Sequence, residues 1–119
     1  MITPREFKRL NYPQEQAVQH NVAVLANTDI LATVLSPIET DYPVIFRAMV
    51  AFNAVGVFSA RITRAAVTVG EDFNSGGNLV ANAAYAFDLL VSQGDTINFR
   101  YSANATMLVL RVQEIRLGA

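Results

Sequence analysis

From His20 onward the chain alternates apolar and polar positions with a period of two, and β-branched and aromatic residues are frequent at the apolar positions. That is the pattern of half-buried strands. Over residues 44–53, Phe46, Ala48, Val50 and Phe52 fall on one face, with Ile45, Arg47, Met49 and Ala51 on the other. Residues 56–63 set Phe58, Ala60 and Ile62 against Val57, Ser59, Arg61 and Thr63. Residues 84–91 place Tyr85, Phe87, Leu89 and Val91 opposite Ala86, Asp88 and Leu90, and residues 96–102 align Ile97, Phe99 and Tyr101. The last run, 106–116, sets Leu108, Leu110 and Val112 against Met107, Val109, Arg111, Gln113 and Ile115. Shorter candidates at 21–26, 29–36, 66–70 and 78–82 bring the expectation to about eight or nine strands.

Polar turn chemistry falls between the runs. Ala26-Asn27-Thr28-Asp29, Ser92-Gln93-Gly94-Asp95 and Ala103-Asn104-Ala105 suit tight reversals. Pro37 and Pro43 fall at strand borders, where a missing N–H does least harm. No stretch of ten residues carries a helical period. Strands at this spacing without helices predict an all-β fold, an antiparallel β-sandwich of jelly-roll-like form.

A sandwich strand should be polar on its outer face. Met49, Leu90, Val109 and Ile115 break that rule, standing opposite the expected core rows. Apolar residues on the second face predict a further buried surface, most simply between subunits, with Arg111 among them.

Composition sharpens this expectation. The 119 residues are 52% hydrophobic and 16% charged, against a usual charged fraction of about 25%. Few charges are available to cover a lone protomer, which again favours assembly. Nine basic and ten acidic residues leave a formal charge of -1, so no net field draws the chain to nucleic acid or anionic lipid. No apolar run approaches the ~20 residues of a membrane-spanning helix. The first residues lack the apolar core of a secretory signal, so the chain is expected to fold where it is made, in a cytoplasm.

Residues 1–19 read as a separate extended arm ahead of a domain at 20–119. The arm holds Arg5, Lys8 and Arg9, including the only lysine, together with Phe7 and Tyr12 as apolar anchors for a neighbouring subunit. Pro4 and Pro13 discourage a long regular element there, leaving room for a short helical turn at 5–10, and a frayed terminus is the alternative to an arm. Eight of the nine basic residues are arginine, and Arg47, Arg61, Arg100 and Arg111 fall within strands. Planar guanidinium groups suit paired, partly buried positions, with Asp88, Glu114, Asp29 or a neighbour's carboxylates as partners.

Catalytic chemistry is thin, and no enzyme is expected. With no cysteine there is no thiolate nucleophile or zinc-thiolate site, and His20 is the only histidine. His20 has no nucleophile motif such as Gly-x-Ser-x-Gly beside it. The carboxylate pairs Glu39/Asp41 and Glu71/Asp72 read as solvated loops rather than as an acid–base pair in a cleft. Glu71, Asp72 and Asn74 offer oxygen ligands of the kind calcium prefers, but the spacing does not fit an EF-hand. Gly76-Gly77 lacks the lysine of a phosphate loop. No catalytic residue, metal site or cofactor is assigned.

The string Tyr85-Ala86-Phe87-Asp88-Leu89-Leu90-Val91-Ser92-Gln93-Gly94-Asp95-Thr96-Ile97-Asn98-Phe99, with the closing strand Met107–Ile115, resembles a known β-sandwich pattern. A similar pattern occurs in C1q and tumour-necrosis-factor-type jelly rolls. It also resembles small β-sandwich virion proteins of double-stranded DNA phages, of the capsid decoration (cement), head-fibre or spike type. The resemblance covers residues 78–116, about a third of the chain. It implies a homotrimer located in the virion, bound to the major capsid protein or other virion subunits. The collagen-like or membrane-spanning stalks around some C1q- and tumour-necrosis-factor-type domains are missing, which favours the virion reading. The expectation is a structural virion protein that decorates or stabilises a capsid, with Phe7, Tyr12, Met49, Leu90, Val109, Arg111 and Ile115 at its interfaces. The alternative is a carbohydrate- or other ligand-binding module at a spike tip, presenting Tyr12, Tyr42, Phe73 and Tyr101.

Overall fold

The strong alternation of residues 44–52 becomes the centre of the molecule. In the computed structural model, which describes residues 13–39 and 41–116, seven strands are formed: β1 (Gln14–Val24), β2 (Val44–Phe52), β3 (Phe58–Arg64), β4 (Val67–Asp72), β5 (Tyr85–Val91), β6 (Thr96–Tyr101) and β7 (Ala105–Arg116). All pairings are antiparallel. They build one sheet of order β1-β7-β2-β5 and a second of order β4-β3-β6. The fold is an all-β sandwich.

Two expected strands are reduced to single bridges, which accounts for seven strands rather than eight or nine. Leu79 bridges Gly56, and Leu35 bridges Ile97. The segment around Leu35 still runs beside β6: the Ile30 N–H donates to Phe99 O at 2.9 Å, and Leu35 and Ile97 exchange backbone bonds of 2.9 and 2.8 Å. At Leu31 the ladder is replaced by a side chain. Asn98 accepts from the Leu31 N–H through Oδ1 and donates to the Leu31 carbonyl through Nδ2, both at 2.9 Å. Counting this segment, the second sheet runs residues 30–35, β6, β3, β4. With β1-β7-β2-β5 that is the two-sheet order of a jelly roll, one member being vestigial.

Strand β1 begins at Gln14, so residues 14–19 belong to the sheet and not to a separate arm ahead of residue 20. Phe7 and Tyr12 lie outside the described residues.

The connections differ from simple reversals. Ser92–Asp95 and Ser102–Asn104 carry the chain between sheets, because β5 and β7 lie in one sheet and β6 in the other. Among the described residues, only β3 and β4 form a tight hairpin, through Ala65 and Ala66, both at positive φ (51° and 66°).

The core lies between the sheets. The predicted inward rows of β2 and β6 are buried as read, with Phe46, Ala48, Val50 and Phe52 facing Ile97, Phe99 and Tyr101. In β7 the reading is corrected at one point. A register shift pairs Ala51 with Val109 but Phe52 with Met107, leaving Leu108 as an extra residue. The bulge turns Met107, not Leu108, into the core, where it is fully buried.

Candidate interaction surface

The outer face of the β1-β7-β2-β5 sheet collects the second-face residues into one surface. Directly paired residues share a face, so the register fixes rows across the sheet. Ile115, Ile45 and Leu90 form the first row, and Glu15, Gln113, Arg47 and Asp88 the second. Val18, Arg111, Met49 and Ala86 follow, then His20, Val109 and Ala51. Met49, Leu90, Val109, Arg111 and Ile115 thus share a single face. Leu90 is 62% exposed and Val18 48%.

The charges on this face are matched within it. Arg47 grips Asp88 with two bonds, Nε to Oδ1 at 2.8 Å and Nη2 to Oδ2 at 3.0 Å. These bonds hold the Asp88 carboxyl below the usual carboxylate range, partial desolvation opposing them, and they raise the Arg47 guanidinium in turn. Arg111 Nε donates to Glu15 Oε1 at 2.9 Å. Beside that pair is a shallow hollow of about 420 Å³ lined by Glu15, Val18, His20, Met49, Ala84, Val109 and Arg111. Pairing Arg47 with Asp88 and Arg111 with Glu15 means that covering this apolar surface would leave none of these four charges buried without a partner, the costlier case.

The opposite face, outside β3 and β6, is polar. Arg61, Thr63, Thr68, Thr96 and Arg100 line a hollow of about 170 Å³ there with Asp29. Arg100 pairs with Asp29 at 2.8 Å, one of the partners expected from the sequence. Arg111 takes Glu15, which was not among the expected partners.

Glu114 serves the fold. It is fully buried and accepts from the backbone N–H of Ile38 at 2.7 Å and of Glu39 at 2.9 Å, and from Gln16 Nε2 at 2.9 Å. Glu39, also fully buried, lies 3.2 Å from Arg116 Nε and accepts the Asp41 N–H at 3.0 Å. Of the solvated pair expected at Glu39/Asp41, Asp41 is exposed as read, whereas Glu39 is a buried clasp on the loop that leads into β2. Among the described residues, no three His, Cys, Asp or Glu side chains come together as a metal site.

The aromatic platform of a sugar-binding module does not form from the residues expected to supply it. Tyr101 is fully buried and Phe73 is 7% exposed, stacked on Phe58 and Phe87. Tyr42 alone of the described candidates is well exposed, at 44%.

No protein-family model matches the sequence, and no curated protein matches it.

Proposed function

We propose that the chain is a structural component of a virus particle. It assembles as a homo-oligomer, a trimer, through the outer face of the β1-β7-β2-β5 sheet and reinforces a capsid by contact with major capsid protein or other virion subunits. The observation that carries this reading is the gathering of Met49, Leu90, Val109, Arg111 and Ile115 on one face with its ion pairs closed internally. A jelly-roll framework with a low charged fraction supports it, as does the resemblance of residues 78–116 to virion β-sandwiches. Hydrophobic contact supplies the affinity, at about 25 cal/mol per Å² of apolar surface before the costs of association.

Light scattering on the purified chain at micromolar concentration tests the assembly. The expected mass is near three times the 13.0 kDa protomer. A stable monomer overturns the reading. Co-sedimentation with particles lacking the protein tests the capsid role, and failure to bind them overturns it.

A further inference from the structure

The sandwich is open along β4. Pairing sets Val69 beside Ile62 and Val67 beside Arg64, on the same side of the sheet as Ala60, which is buried between the sheets. Val67 and Val69 therefore project toward the interior side, yet they are 63% and 58% exposed. Together with Ile62 and Arg64 they line a hollow of about 300 Å³. The order β4-β3-β6 gives β4 a strand partner on one side only.

An apolar edge of this kind is a template for another strand, and folds normally cover it or guard it with charge or proline along its length. Strand β4 has no proline. Its two acids, Glu71 and Asp72, sit together at one end, exposed and outside the ion pairs formed among the described residues.

We propose that this edge receives residues 1–12 of a neighbouring copy, added to β4 as a further strand. Two features select that occupant. The first is complementarity: residues 1–12 carry Arg5, Lys8 and Arg9 against Glu6 alone, with Ile2, Phe7, Leu10 and Tyr12 as apolar side chains. Basic groups meet Glu71 and Asp72 while apolar groups cover Val67 and Val69.

The second feature is reach. Twelve extended residues span at most about 40 Å. They depart from β1, the edge of its sheet farthest from β5. β4 lies at the β5 side, since Phe73, directly after β4, stacks on Phe87 of β5 at 5.0 Å. Crossing the sheet takes about 15 Å and passing to the second layer about 10 Å more. In its own subunit the segment would arrive with only about four residues left, too few to line the six residues of β4. An adjacent subunit whose β1 edge lies nearer this β4 would deliver it with enough. Such a donation is heterologous and closes into a ring in a cyclic oligomer. It rests on the assembly reading above only in requiring a neighbour.

Cross-linking tests the proposal, because the chain has no cysteine of its own. Full-length chains carrying only Phe7→Cys are mixed with differently tagged chains carrying only Val69→Cys and oxidised mildly. The expected product is a disulfide-linked pair of the two tagged chains, at least fivefold above a control in which Val80→Cys replaces Val69→Cys, Val80 being 63% exposed against 58% for Val69. Reversing the edge with E71K/D72K is expected to cut the yield severalfold, and combining it with R5E/K8E to restore it. Light scattering on the same samples separates the outcomes. An oligomer without the mixed cross-link, or a Phe7→Cys/Val69→Cys chain that links only to itself, overturns this proposal alone. A monomer overturns both this and the assembly reading.

Discussion

Tyr101 lies flat against Phe52, the two rings 3.7 Å apart at their centres and 5° from parallel. The Tyr101 hydroxyl donates to the Ala54 carbonyl at 2.6 Å, tying β6 to the loop after β2. Burial raises the Tyr101 hydroxyl above its ordinary pKa, with Tyr85 adding a smaller push the same way. Gly56 closes the arrangement, since a Cβ there would meet the Tyr101 ring at 2.8 Å. Tyr101→Phe is expected to cost about 1 kcal/mol for the lost hydrogen bond, and Tyr101→Ala about 3–5 kcal/mol for the lost packing. Gly56→Ala, which overpacks the same ring, is expected to cost about 1–3 kcal/mol. Urea unfolding of the three variants checks the order.

The β3–β4 hairpin is strained. Ala65 and Ala66 occupy the two central positions of a two-residue turn with both φ angles positive. That geometry favours Asn-Gly, and left-handed backbone costs an ordinary L-residue about 1–2 kcal/mol. Replacing the pair by Asn-Gly is expected to stabilise the domain by about 1 kcal/mol or more, seen as a higher urea midpoint at unchanged slope. A lower midpoint would contradict the turn.

Asp95 sets an acid limit. It is buried and takes two bonds from Arg64, at 2.6 and 2.8 Å, and one from the Ser92 N–H at 3.0 Å. The Arg64 bonds, outweighing desolvation, hold its carboxyl below the usual range. A carboxylate with a depressed folded-state pKa contributes stability above its unfolded value, about 3.9, and loses it as pH falls through the lower folded value. The stability gap between wild type and Asp95→Asn is therefore expected to be constant from pH 5 to 8 and to shrink below about pH 4. Denaturation at several pH values measures it, and a gap that widens in acid would reverse the sign.

These particulars show what the alternation of residues could and could not reveal. The inward rows of β2 and β6 were legible because each side chain has an apolar neighbour two positions away. The β7 rows were legible only as far as the bulge, since an extra residue at Leu108 shifts the period without leaving a polar or glycine signal. The β3–β4 reversal was hidden because Ala65-Ala66 has no turn chemistry, tertiary pairing overriding local preference. Segment 29–36 has strand composition, but the Asn98 side chain displaces part of its ladder, a contact between residues 67 apart. The second-face residues could be named one strand at a time. Their convergence depended on the order β1-β7-β2-β5, which no single strand encodes.

Glu114 combines both situations. The inward period of Leu110 and Val112 puts it in the core, where a carboxylate survives only with donors around it. Removing it by Glu114→Ala would strip the bonds from the Ile38 and Glu39 amides. The expected cost is about 2–6 kcal/mol, from about 1–3 for each of the two amides left without its acceptor. Faster hydrogen exchange at Ile38 and Glu39, ahead of the β2 amides, would show that the loop before β2 is what Glu114 secures. Uniform loss of protection would mean that it supports the whole core instead.

The outer sheet face makes the sharpest distinction between folding and assembly. Leu90 extends the Ile115–Ile45 row and is mostly exposed in the protomer, so Leu90→Lys removes nothing the isolated fold depends on. Its unfolding free energy is expected to change by no more than about 0.5 kcal/mol. Burying a leucine against a neighbour is worth about 1.5–3 kcal/mol, so the same substitution should weaken the oligomer at least about tenfold. Val80→Lys supplies the comparison: Val80 is equally exposed at 63% but lies in the loop before β5, away from the sheet rows. Sedimentation at graded concentration should show Leu90→Lys dissociating where wild type and Val80→Lys remain assembled. Equal behaviour of the two variants would place the subunit contact elsewhere on the molecule, and the apolar rows would then need a different partner.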